Sequence, residues 1–86
     1  MIKLLGTEAA LGTATGTASA FGNAKTVRLV NTTTTAYLVT LEQADGTDIG
    51  TMTLMGGESV VIHKNPTDKI FAANAGVKGA AVGFSH

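Results

Sequence analysis

From Lys25 onward, apolar residues recur with the two-residue period of a half-buried strand, in short runs separated by turn residues. Thr26-Val27-Arg28-Leu29-Val30 is rich in β-branched residues, and Asn31-Thr32-Thr33-Thr34-Thr35 supplies a turn after it. In Tyr37-Leu38-Val39-Thr40-Leu41-Glu42 the first, third and fifth residues share one face, with Thr40 and Glu42 on the other. Ala44-Asp45-Gly46-Thr47 is a strong turn, because Asp-Gly readily takes positive φ. Thr51-Met52-Thr53-Leu54-Met55 directs Met52 and Leu54 inward. Gly56-Gly57-Glu58 then separates it from Ser59-Val60-Val61-Ile62-His63-Lys64, a hairpin signal with a loop longer than two residues. Asn65-Pro66-Thr67-Asp68 halts that strand, since proline cannot donate to a ladder. Lys69 to Ala73 is a short run, Asn74-Ala75-Gly76 a turn, and Val77 to Phe84 a last strand with Ala80, Val82 and Phe84 on one face.

Five or six short strands at this spacing, with no connection long enough for a helix, predict an all-β fold. The expected architecture is a small antiparallel β-sandwich or barrel-like domain with an extended N-terminal arm. The β-domain spans 25–86. Residues 1–24 make the N-terminal part, with a first strand from Ile2 to Leu5 and then a Gly/Ala/Thr-rich segment. In that segment Gly6-Thr7, Gly12-Thr13 and Gly16-Thr17 recur among alanines, and Leu11 and Phe21 are the only large apolar side chains. Thr7 could cap a helix, but Gly12 and Gly16 would break it at once. Two readings of Gly6–Ala24 follow: a poorly ordered segment, or an arm that lies on a neighbouring subunit. On the arm reading, removing residues 7–22 leaves the β-domain folded and abolishes its attachment to neighbours.

Composition sharpens this picture. Eighty-six residues make one thin-cored domain, of a size that usually needs disulfides, a metal or association with neighbours. Cysteine is absent, so disulfides and thiolate metal sites are excluded. His63 and His86 are the only imidazoles, too few for a dedicated zinc cage. Association is the remaining device. Charged residues are 14% of the chain and mean hydropathy is +0.27, which implies that Ala, Thr, Gly and apolar side chains reach the surface. Six basic and six acidic side chains cancel without clustering, so a nucleic-acid partner is not expected. Nor is a membrane partner, as no apolar run approaches about 20 residues. The apolar stretch near Met1 is too short for a signal peptide, and residence in the cytoplasm where the chain is made is expected.

No residue pattern calls for catalysis, a cofactor or a metal, and the chain is expected not to be an enzyme. His63 is the only interior candidate base, with Asp68 across the Pro66 turn as its one possible carboxylate. A histidine near a strand end is more often a surface residue than a catalyst. Gly12 to Gly16 lacks the Gly-Lys-Ser/Thr of a phosphate loop. Asp45-Gly46-Thr47-Asp48 lacks the run of oxygen ligands of a calcium loop and reads as a polar turn. Tyr37 is the one plausible aromatic platform for a sugar, which keeps a carbohydrate- or surface-binding module as an alternative of another class.

The run Val27-Arg28-Leu29-Val30-Asn31-Thr32, then Gly57-Glu58-Ser59 entering a strand, then Lys64-Asn65-Pro66-Thr67-Asp68 resembles small virion structural proteins of tailed bacteriophages, particularly those of marine bacteria. The resemblance runs from about Met1 to His86. It implies a late structural component in many copies on the virion, assembled in the host cytoplasm. The first expectation is a capsid decoration or cement protein whose partners are other virion proteins, above all the major capsid protein, and copies of itself. The second is a neck, tail or fibre component.

Overall fold

A computed structural model describes residues 2–84, and within them eight strands form two antiparallel sheets packed face to face. The strands are β1 (Ile2–Leu4), β2 (Ala9–Ala10), β3 (Thr26–Asn31), β4 (Tyr37–Glu42), β5 (Asp48–Leu54), β6 (Ser59–His63), β7 (Lys69–Ala72) and β8 (Val77–Phe84). Thr15–Thr17 adds one 3₁₀ turn, and there is no α-helix among the described residues. The first sheet has the order β1-β8-β3-β6, with β2 also paired to β8; the second has the order β5-β4-β7. The body measures 34 × 31 × 19 Å, and its short axis accommodates two sheets about 10 Å apart.

The core lies between the sheets. Val27 and Leu29 of β3, with Val77 of β8, meet Val39, Leu54, Ile70 and Ala72 of the second sheet. Tyr37, Leu41, Met52, Val60 and Ile62 flank them. The two-residue period therefore assigns the shared face of β4 and the inward positions of β5 correctly. In β8 the register sets Gly79 opposite Leu29 and Ala81 opposite Val27, so the core face is Val77, Gly79 and Ala81. Ala80 and Val82 are buried outside the central cluster. Gly79 has a steric reason. The Phe21 ring packs over it, and a Cβ there would sit 2.8 Å from the ring.

Two connections differ from the pattern-based expectation. Gly56-Gly57-Glu58 does not close a hairpin, because β5 pairs with β4 while β6 pairs with β3. It is a crossover between sheets, as is Asn31–Thr35. Asn31 secures both. Its buried side-chain amide donates to the carbonyls of Thr35 (2.7 Å) and Leu54 (2.9 Å). Its Oδ1 accepts from the backbone N–H and the hydroxyl of Thr33, and its main chain bonds Gly57 and Glu58. A fully bonded buried amide specifies one arrangement, because any other leaves costly unpaired groups. The Asp45-Gly46 hairpin forms as expected between β4 and β5, with Gly46 at φ 91°.

The Gly/Ala/Thr-rich segment is the larger correction. It is extended over much of its length but lies on its own domain. Ala9 and Ala10 pair with Gly79 and Lys78 of β8. Leu11 donates to the Val77 carbonyl (3.0 Å), and the next residue, Gly12, accepts from Ala72 N–H (3.0 Å). The chain thus steps from the first sheet to the second within one residue. Ser19 then exchanges two hydrogen bonds with Ile70 on the free edge of β7 (3.1 and 2.9 Å). Leu11 is buried in the core and Phe21 packs against it. The two large apolar side chains of the segment are its anchors, so residues 7–22 are part of the domain's packing.

Candidate functional site

The sandwich has two lateral sides. Along β7 and β8 the gap between the sheets is closed by residues 9–20. Along β5 and β6 no segment plays that role, and an apolar cleft of about 270 Å³ remains. It is lined by Val39, Leu41, Met52 and Ile62, with Gly50, Thr51 and His63 at its margin. The edge strand beside it, β5, carries a single charge, Asp48 at its start, and has neither charge nor proline from Ile49 to Leu54. Natural edge strands are commonly blunted by lysine, proline or a bulge. Here blunting is confined to the start of the strand, with exposed Asp48 and a bulge at Ile49, where Leu41 faces Gly50 and Glu42 faces Asp48. Ile49 (48%) and Met55 (57%) are among the most exposed large apolar side chains.

A second concavity, about 350 Å³, opens at one end of the sandwich between Gln43–Asp45, Ile49 and Asn65–Asp68. Its polar groups are committed to local turns. Asp45 accepts the Thr47 N–H (2.9 Å), and that hydrogen bond holds its carboxyl below the ordinary value. Asp68 accepts the Asn65 N–H (3.1 Å) and is buried. Lys64 is buried too, its ammonium donating to the carbonyls of Asn65 (3.3 Å) and Pro66 (3.2 Å). Desolvation pushes the Lys64 pKa down, and the Asp68 charge opposes that shift in part.

The candidate residues for chemistry do not come together. His63 ends β6 opposite Thr26 and is exposed, whereas Asp68 is spent on the Asn65 turn. His86 lies outside the described residues. Gly12 is required by packing, since a Cβ would collide with the Thr17 carbonyl. Tyr37 is half-buried against the core. No group of three or more His, Cys, Asp or Glu side chains converges on a metal-sized space among the described residues.

Glu42 escaped pattern reasoning. It falls on the face of β4 opposite Tyr37, Val39 and Leu41, yet it is fully buried, and neither carboxylate oxygen has a hydrogen-bond partner among the described residues. Lys69 is its register partner on β7 without forming an ion pair. A strand period does not report what covers the far face of a sheet, so this burial had no sequence signal. The one ion pair among the described residues, Arg28 to Glu8 at 3.5 Å, is half-exposed and ties the N-terminal segment to β3.

Compared with protein-family models, with curated proteins and with solved structures, the chain matches none.

Proposed function

We propose that this chain is a non-catalytic structural protein of a phage virion, a decoration or cement protein that binds the major capsid lattice through protein contacts. The observation that carries the reading is the open side of the sandwich. An edge strand with no charge from Ile49 to Leu54 and an apolar cleft lined by Val39, Leu41, Met52 and Ile62 form one flank of a domain with very little charge. Surfaces of that kind favour burial against another protein. The resemblance of Val27–Thr32 and Gly57–Asp68 to small virion proteins supplies the setting. In this mechanism the β-domain sits over a junction between capsid subunits, and burial repeated over many copies stiffens the shell without any bond being made or broken.

The test is copy number per particle by quantitative mass spectrometry of purified virions, together with rebinding of Met52→Asp protein to stripped particles. Hundreds of copies, lost with Met52→Asp while the isolated variant remains folded, is the expected result. About a dozen copies or fewer supports the neck, tail or fibre reading. Absence from particles overturns both.

A further inference from the structure

We infer that residues 2–20 can be exchanged between two copies of this chain, with the turn at Phe21–Asn23 as the hinge. Two independent features support this. The first is where the segment's contacts go. Its ladder bonds run to β8, its Leu11 and Ser19 bonds run to Val77 and Ile70, and its ion pair runs to Arg28. Apart from a local turn at Ala14–Thr17, the segment bonds the β-domain and not itself. A second copy offers the same surface, so a reciprocal exchange conserves each of these contacts. Net charge is zero, and no repulsion opposes two copies meeting.

The second feature is the hinge. Phe21, Gly22 and Asn23 have φ of 54°, 64° and 62°, three successive residues in the left-handed region. Glycine adopts that conformation freely and asparagine tolerates it, so the strain of the turn rests on Phe21. The turn is closed by few bonds: Ala24 N–H to the Phe21 carbonyl (3.2 Å) and Phe21 N–H to the Ser19 hydroxyl (3.1 Å). Straightening it releases the strain in both chains at once, while the contacts of residues 2–20 re-form across the pair. The closed form is favoured by dilution and the exchanged form by concentration, as a short strained connection allows. The inference goes beyond the proposed function and does not depend on it, since it concerns the purified chain alone.

The chain has no cysteine, which makes the test direct. Ala10 and Lys78 are register partners in the β2–β8 ladder. In an Ala10→Cys/Lys78→Cys variant, the closed form joins them within one chain and the exchanged form joins them between chains. Equal amounts of ¹⁵N-labelled and unlabelled variant are refolded together at low and high concentration, oxidised, and mapped for mixed-isotope peptides bridging positions 10 and 78. Mixed peptides rising with concentration are expected. Asn23→Val in the same background should raise their share about tenfold, because a β-branched residue resists positive φ, and Asn23→Gly should lower it. Only single-isotope bridges at every concentration, with Asn23→Val included, would overturn the inference. So would mixed peptides unmoved by either substitution at Asn23, because the hinge would then lie elsewhere.

Discussion

The two flanks of this sandwich hold comparable apolar residues and treat them differently. On the β7–β8 flank, Leu11 and Phe21 are delivered by a segment that looks featureless and bonds both sheets within one step. On the β5–β6 flank, Met52 and Ile62 are only partly covered, and the cleft beside them stays open. Closure therefore comes from a strap of small residues with two anchors, and not from the strands. A domain able to build one strap leaves its second flank bare, and that bare flank is the surface from which the binding role is argued.

The comparison is broken most severely by cutting the strap. Deleting residues 7–22 should abolish cooperative unfolding, because the free edges of β7 and β8 and the core under Leu11 all lose their cover. The milder Leu11→Ala should lower stability by about 2–4 kcal/mol in urea titration, a large share of what a domain of this size has. A loss under 0.5 kcal/mol would mean that the strap is not packed as described. Next comes Glu42, on the central strand of the sheet that borders the open flank. Glu42→Met should stabilise the domain by about 1–3 kcal/mol, since it removes a buried carboxylate that lacks a partner. A loss of stability would show that this carboxylate has a partner after all.

On the open flank itself, Met52→Ser should cost about 1 kcal/mol or less in stability, well below Leu11→Ala, because Met52 is only half-covered. Equal losses for the two would erase the distinction between the flanks. The smallest effect is the pH response of Lys64 at the end of the sandwich. Its folded-state pKa is lowered from the ordinary 10.5, so between that lowered value and 10.5 the unfolded chain binds more protons than the folded one. Stability from this group should accordingly rise with pH through that interval, whereas below it the burial penalty is present in full. Urea midpoints measured from pH 8 to 10.5 should climb relative to those of Lys64→Met. Parallel curves would remove the role assigned to desolvation.

The strands from β3 onward were legible because alternation and turn chemistry agree there. Val27 to Val30 announce a strand by composition, Tyr37 to Leu41 and Met52 and Leu54 each announce a face, and Asp45-Gly46 announces its hairpin. What alternation cannot convey is which strand a strand pairs with. Gly56-Gly57 looks like a hairpin locally, and only the buried amide of Asn31, 23 residues before Leu54, reveals a crossover. The strap was missed for a different reason. Its ordering depends on long-range bonds to Val77, Ala72 and Ile70, while glycine, alanine and threonine carry almost no local preference of their own. The spacing of Leu11 and Phe21 was the available signal. The open flank was legible only as low charge, since the cleft forms from Val39, Met52 and Ile62 on three separate strands.

The position of β8 bears on how this chain acquires its structure during synthesis. It is the last of the eight strands to be made, yet it lies inside the first sheet, flanked by β1 and β2 on one edge and β3 on the other. Until Val77–Phe84 has emerged, β1, β2 and Leu11 have no ladder to join, and the inward face of β3 stays uncovered on that side. Such distant pairings are slow to form and leave sticky intermediates exposed while they do. This unit therefore does not assemble strand by strand in the order β1 to β8. Its first sheet waits for β8 and then closes around it, and until then β1, β2 and the inward face of β3 remain open to chaperones and to neighbouring chains.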